Sequence, residues 1–323
     1  MDIKKRIDEI LLACFTRASS LNLATGGQVQ AESFMEFLKT SGLEGVPLLN
    51  AVNAAGCIVV KDGDPVKIPT IGLASRQLQK AVKGAAPASV VNFTTGDAEI
   101  STTEVIYPID LDYQDYEDAI GRQPGEIGQE AMNEYLDQVT GDLAMAAVAR
   151  DLQDLLLNGD TASATAFLQT FDGAVKLVQA AGSYYNPGVA QTITEHLRGL
   201  LATASANLKA ERNALAFYLG SEDFSALWDI WEARGTPLGD QALTMDQSNA
   251  LKYRGVACVE VDHLPDQKAF LARSNAFWLA FRRNWSVAKQ LQPRKRVVEV
   301  TITARVGHAE VLDYCVLGNR TAA

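Results

Sequence analysis

Nowhere do the 323 residues run through about eighteen apolar positions in succession, so the sequence contains no helical membrane span. Cysteine is sparse. Cys14, Cys57, Cys258 and Cys315 lie far apart without a CxxC pair, which excludes a disulfide framework and leaves reduced, buried thiols as the expectation. The three histidines, His196, His263 and His308, have neither the helical nor the Cys/His spacing of a zinc site. No GxSxG, no GxGxxG behind a strand and no GxxxxGKS or GxxxxGKT occurs, so the common nucleophile and phosphate-cradling devices are missing. Ser286-Val287-Ala288-Lys289 matches a serine–lysine nucleophile spacing, but the residues are common and nothing nearby resembles an oxyanion hole, so the match reads as chance. Positive charge is also short. With 29 Lys and Arg against 39 Asp and Glu the formal net charge is −10, which argues against tight sequence-independent binding of nucleic acid, because that needs clustered cations. Lys4, Lys5 and Arg6 precede the apolar ILLACF, yet Asp8 and Glu9 interrupt a run too short for a signal peptide, and export is not expected.

What the chain does have is apolar mass, 47% of its residues, enough for two domains or one elaborate one. It is organised around residues 124–160, which read as one long helix. Ile127, Ala131, Tyr135, Val139, Leu143 and Ala147 recur four apart, while Gln129, Asn133 and Asp137 fall on the far side. Pro124 suits a first helical position, and Asn158-Gly159 supplies a left-handed stop. Such a helix would be nearly 50 Å long at about 1.5 Å per residue, a strut across a broad subunit. Gly141 is its weak point, since an interior glycine costs about 1 kcal/mol relative to alanine.

Before the strut, Ile3 to Arg17 form an amphipathic helix with Ile3, Ile7, Ile10, Leu11 and Phe15 on one side, and Glu32 to Lys39 a second. These make an arm too small to fold alone, which would gain stability by lying on a neighbour or by capping its own domain. CIVVK and VKIPTIGL read as extended, separated by a turn at Asp62-Gly63-Asp64-Pro65. From Ala74 to Val91 the chain is alanine-rich with too little bulk for a core and is expected to project; Ile100 to Asp112 then resumes strand character. Thr103, Val105 and Tyr107 alternate there with Thr102, Glu104 and Ile106, so the two flanks are expected to pair as a long hairpin. Beyond the strut, a capping box at Thr192 and Glu195 opens a helix to about Lys209. A strand at ALAFYLG, a helix from Ser221, and strands at Gly255–Val261 and Ala269–Ala272 make Ala162 to about Leu291 one compact mixed region. The clearest β pattern runs from Val298 to Val306. Gly307-His308 reads as a turn into Ala309 to Leu317, a terminal hairpin packed on the strut with the strands before Asp112.

Charged and aromatic clusters have bland readings. Asp110, Asp112, Asp115, Glu117 and Asp118 lack the glycine of a calcium loop and read as a solvated lead-in. Arg294, Lys295 and Arg296, with Arg282 and Arg283 upstream, form the one basic concentration, best suited to ion pairs with acidic surface on another copy rather than to nucleic acid. Trp228 and Trp231, three apart on a helix, read as core.

The order of these elements resembles the major capsid proteins of tailed bacteriophages, the Hong Kong 97 type fold. Leu157-Asn158-Gly159-Asp160 followed by Phe171-Asp172-Gly173 is similar to that family's spine helix and the passage after it. Arg234-Gly235-Thr236-Pro237-Leu238-Gly239 resembles its loop after a strand and helix, and Tyr253-Arg254-Gly255-Val256 with Val259 to Leu264-Pro265 resembles a later strand; Asn275 and Arg282 fall where the family has "N…R". The resemblance implies an α+β fold with an N-terminal arm (1–50), an extended hairpin with peripheral strands (51–112), a spine helix (113–161), an axial domain (162–291) and a peripheral C-terminal hairpin (292–323).

It also implies self-assembly into hexamers and pentamers, an icosahedral shell around double-stranded DNA bound weakly, and no enzyme activity, cofactor or metal. A separate scaffolding protein is implied because the arm is short, with a portal and a decoration protein as further partners, and assembly in the host cytoplasm into a virion. Lys80 and Lys83 lie in the loop that some members cross-link, and with Arg294, Lys295 and Arg296 they are the candidate inter-subunit contacts; no cross-linking asparagine or carboxylate is assignable. An encapsulin-like shell enclosing cargo protein is the alternative within the fold, and a cytosolic α/β enzyme of unrecognised chemistry the alternative outside it.

Overall fold

The computed structural model describes residues 46–61, 65–73, 93–112, 146–205, 208–209, 212–233, 243–245, 251–282, 286–292, 297–311 and 314–320. The arm helices, the loop 74–92, residues 113–145 of the expected strut and the loop 234–242 lie outside them.

The first described element is helix α1, Pro47–Ala54, which buries Leu48, Leu49 and Val52. No helix is expected there from the sequence, because eight residues span little more than two turns and show almost no periodicity. Strands β1 (Ile58–Lys61), β2 (Val66–Leu73), β3 (Phe93–Ile100) and β4 (Thr103–Asp112) follow. β2 pairs with β3 in antiparallel register from Val66↔Ile100 to Leu73↔Phe93, and not with Ile100–Asp112 as expected. β3 reads FTTGDAEI, whose internal Gly and Asp disguise a strand that is supported by its partner.

Helical residues 146–158 form α2, the described end of the strut. Then come α3 (Ala174–Ala180), β5 (Tyr184–Tyr185), α4 (Ile193–Thr203), β6 (Leu215–Leu219) and α5 (Ser221–Glu232). The capping box forms as expected, Thr192 accepting from the Glu195 N–H and Glu195 from the Thr192 N–H, but α4 ends at Thr203, short of Lys209. Strands β7 (Leu243–Met245), β8 (Leu251–Tyr253), β9 (Val256–Glu260), β10 (Lys268–Arg273), β11 (Phe277–Arg282), β12 (Ser286–Gln292), β13 (Val297–Glu310) and β14 (Cys315–Asn319) complete the order. β8 and β9 meet at Arg254 (φ 50°) and Gly255 (φ 82°), the two left-handed residues of a tight hairpin turn.

The expected terminal hairpin does not form. β13 runs straight through Gly307-His308, and β14 joins a different sheet, antiparallel to β10 and parallel to β5. The glycine has another cause: a Cβ at position 307 would lie 2.8 Å from Ile100 Cγ2 and closer still to the Ser101 carbonyl, so the chain entering β4 crosses directly over it.

Two sheets share the body. In one, Val306 pairs with both Phe281 and Thr103, so β11 and then β12 follow one edge of β13 while β4 follows the other, and β1 lies parallel to β11. The other is seven-stranded, in the order β5-β14-β10-β6-β9-β8-β7. It is covered on both faces. Tyr218, Phe270, Ala272 and Leu317 turn toward a core shared with α1, α2, α3 and the first sheet, whereas Phe217, Ala269, Leu271 and Val316 turn toward α4 and α5. Period-two alternation thus divides each central strand between two cores. On the far side of the first sheet, Val66 and Ile100 seat the base of the β2–β3 ribbon against Ala280.

Candidate assembly surface

The strut's end is fixed at two places. Leu155, Leu156 and Leu157 are buried, and Gly159 stops the helix, though without the left-handed conformation expected of it. A Cβ there would strike the Phe171 carbonyl, and one on Gly173 would lie 2.6 Å from the Gly159 nitrogen. The two glycines let the backbones touch, with Gly173 N–H donating to the Gly159 carbonyl at 2.7 Å and Asp160 N–H to the Leu168 carbonyl at 2.8 Å. Lys176 then bridges Asp160 (2.6 Å) and Asp172 (2.7 Å). Its ammonium, with the Ala162 N–H on Asp160 and Thr161 on Asp172, holds both carboxyls below their ordinary range. Separately, Gln153, 1% exposed, donates to the Asp262 carbonyl at 3.0 Å, and Asn158 donates to the His263 carbonyl at 2.6 Å. His263 is left-handed, φ 66°. The strut is thereby laced to the turn that follows β9.

Between α2, β4, β13 and the loop 166–170 lies a cleft of about 360 Å³, floored by Val105, Leu152, Leu155, Ile302 and Ala304. Ile106 (62% exposed) and Phe167 (38%) stand at its mouth, two of the three large apolar residues exposed among the described ones. The charged lining residues are Glu104 and Asp151, both acidic. Burial, then Asp154, raises the Asp151 pKa. Among the described strands β4 pairs with β13 alone. The sequence signal for this site was Ile106, an apolar residue on the polar side of an alternating strand; Phe167 carried none.

The residues singled out from sequence do not converge. Lys80, Lys83, Arg294, Lys295 and Arg296 lie outside the described residues, as do Arg283, Asp115, Glu117, Asp118 and Cys14. Ser286 and Lys289 fall in strand β12, whereas residues three apart share a face only in a helix. His196 is buried in α4 beside Tyr185, ring centroids 5.9 Å apart, and His308 stacks on Phe171 at 6.2 Å. Burial lowers the pKa of each to about 4. No group of three metal-ligating side chains occurs among the described residues. Cys57 and Cys258 are buried thiols, and Cys315 donates to the Val311 carbonyl at 3.8 Å. Trp228 and Trp231 are half-buried and meet edge to face at 5.5 Å. Among the described residues no helix is long and apolar enough to cross a membrane.

This chemistry-poor surface belongs to a known architecture. The model resembles the subunit in a satellite phage P4 procapsid that includes the size determination protein, with a TM-score of 0.62 over 99% of this chain and 98% of that one at 11% identity. It also resembles the cyanophage A-1(L) capsid subunit, TM-score 0.57 over 86% and 93% at 10% identity. The fold is therefore the Hong Kong 97 type capsid fold. No protein-family model matches the sequence, but a protein of Bacillus subtilis (strain 168) named as a prophage capsid protein, YqbE, is 26% identical over 263 residues, 77% of this chain and 79% of that one. The chain thus shares the fold of phage capsid subunits and is similar in sequence to a protein named as a prophage capsid protein.

Proposed function

We propose that copies of this chain assemble as hexamers and pentamers into an icosahedral shell around the double-stranded DNA of a tailed phage. The observation that carries the reading is the capsid fold extended over 99% of the chain, on a subunit with an exposed apolar cleft that suits a neighbour. In this reading the first sheet with the strut is the peripheral part and the seven-stranded sheet, including β14, the axial part. The β2–β3 ribbon and its loop, with Lys80 and Lys83, overlie a neighbour. Arg294, Lys295 and Arg296 pair with acidic surface on another copy. The formal charge of −10 keeps packaged DNA weakly held. A separate scaffolding protein, a portal and a decoration protein complete the particle, which forms in the host cytoplasm.

Light scattering and negative-stain microscopy on the chain expressed alone, and with the neighbouring gene products, test this. Closed shells, or capsomers that become shells, are expected, with nuclease-protected DNA inside when the packaging genes are present. A persistent monomer or dimer overturns the assembly reading, and shells that enclose protein cargo in place of DNA overturn the genome reading.

A further inference from the structure

We propose that the cleft between β4 and α2 is a binding site for a linear aliphatic polyamine, with the methylenes on its apolar floor and the ammonium groups on the carboxylates of its two walls. The site is complete within one copy of the chain and does not depend on the shell reading. Each element gives it one face. On α2, Leu152 lies three before Leu155 and Asp151 four before it, so all three point the same way. Ile302 and Ala304 alternate to one side of β13, and Glu104 stands on β4 opposite the helix. The four apolar residues of this set are at most 5% exposed. The volume of about 360 Å³ falls among small-ligand sites, which span about 300–1,000 Å³. Asp151 decides the chemistry of the ligand. It is half-buried, makes no hydrogen bond or ion pair among the described residues, and feels the like charge of Asp154. Glu104 reaches Arg305 only at 3.9 Å. A carboxylate in apolar surroundings gains most from a cation that brings hydrogen bonds with it. A magnesium ion fits poorly, because it demands octahedral oxygen ligands, and no group of three metal-ligating side chains occurs among the described residues. A polyamine joins cation to hydrocarbon as the cleft joins carboxylate to apolar floor.

Spermidine is titrated calorimetrically into the full-length chain at about 0.15 M salt, where loose attraction to an acidic surface is screened beyond about 8 Å. One spermidine per chain is expected, with hexylamine binding more weakly and magnesium unable to compete. Asp151→Asn should weaken spermidine binding about tenfold or more, the loss of one bond to a charged group. Glu232→Gln, which removes the same charge from the exposed end of α5, should leave binding unchanged. Val105→Phe, which fills the cleft and keeps both carboxylates, should abolish it. Many weak sites, displacement by magnesium, or equal losses from Asp151→Asn and Glu232→Gln overturn the site in favour of general attraction to a chain of net charge −10. Binding that survives Val105→Phe overturns its location. Shells that form and bind no spermidine sink the site and leave the shell reading intact, whereas a lone subunit that binds it through Asp151 but never assembles sinks the shell reading and leaves the site.

Discussion

Gly173 and Glu310 show how single residues constrain this fold in opposite ways. At Gly173 the constraint is space, because a Cβ would lie 2.7 Å from the Leu157 carbonyl as well as against Gly159. Both obstacles are backbone and cannot swing aside. Gly173→Ala is expected to destabilise the chain by about 1–3 kcal/mol, read as a lowered midpoint of urea unfolding. At Glu310 the constraint is solvation: neither carboxylate oxygen has a partner among the described residues, and burial pushes its pKa from 4.5 to about 8. Between those values the folded chain binds a proton that the unfolded chain has released. Stability from this group is therefore complete below pH 4.5 and is lost as pH rises toward 8, by at most about 1.4 kcal/mol per unit. Glu310→Gln should flatten that part of the profile, so the variant gains on the parent as pH climbs. An unchanged difference at pH 5 and pH 8 would mean the carboxyl is charged throughout.

At the scale of elements, the strut is tied to the turn after β9 by hydrogen bonds more than by surface charge. The Gln153 bond to the Asp262 carbonyl is shielded from water by a residue only 1% exposed. Gln153→Ala is expected to cost about 0.5–1.5 kcal/mol, because the part-buried bond to the Asp262 carbonyl is lost, and to speed hydrogen exchange selectively around residues 261–264. The ion pairs along the sheets matter less. Lys67 and Glu99 face each other across the ribbon at 3.0 Å with both side chains more than half exposed, and such pairs are worth about 0–1 kcal/mol. The β2–β3 ribbon is held to the body by Val66 and Ile100 and by the crossing over Gly307. Its base is built in, and its direction is set by a close approach of two backbones.

At the scale of the whole molecule, the subunit's surface makes sense only in company. Its exposed apolar cleft is a liability for a lone subunit and, in the shell reading, a contact site. If Arg294, Lys295 and Arg296 pair with acidic surface on another copy, assembly of the parent should weaken as salt rises from about 0.1 to 1 M, where screening shortens from about 10 to 3 Å. The triple alanine variant should assemble less well at low salt and respond little to that change, as followed by light scattering. An equal salt response in parent and variant would remove these residues from the interface.

The sequence by itself determined the elements whose signals are local: the capping box at Thr192, the strands at Val66, Leu215 and Lys268, the helix at Ser221, the alternating part of β13 up to Val306, and the general architecture through their order. Each depends on periodicity or on contacts within a few residues, which are written along the chain. What only the tertiary structure decided was pairing at a distance. β2 took β3 and β4 took β13, Gly307 proved a crossing and not a turn, and β14 left its neighbour in sequence for the seven-stranded sheet. A strand's edges are alike to any partner with matching length, so the choice falls to burial. Cys315 and Leu317 turn to one core and Val316 to the other, an arrangement that exists only once both cores have formed.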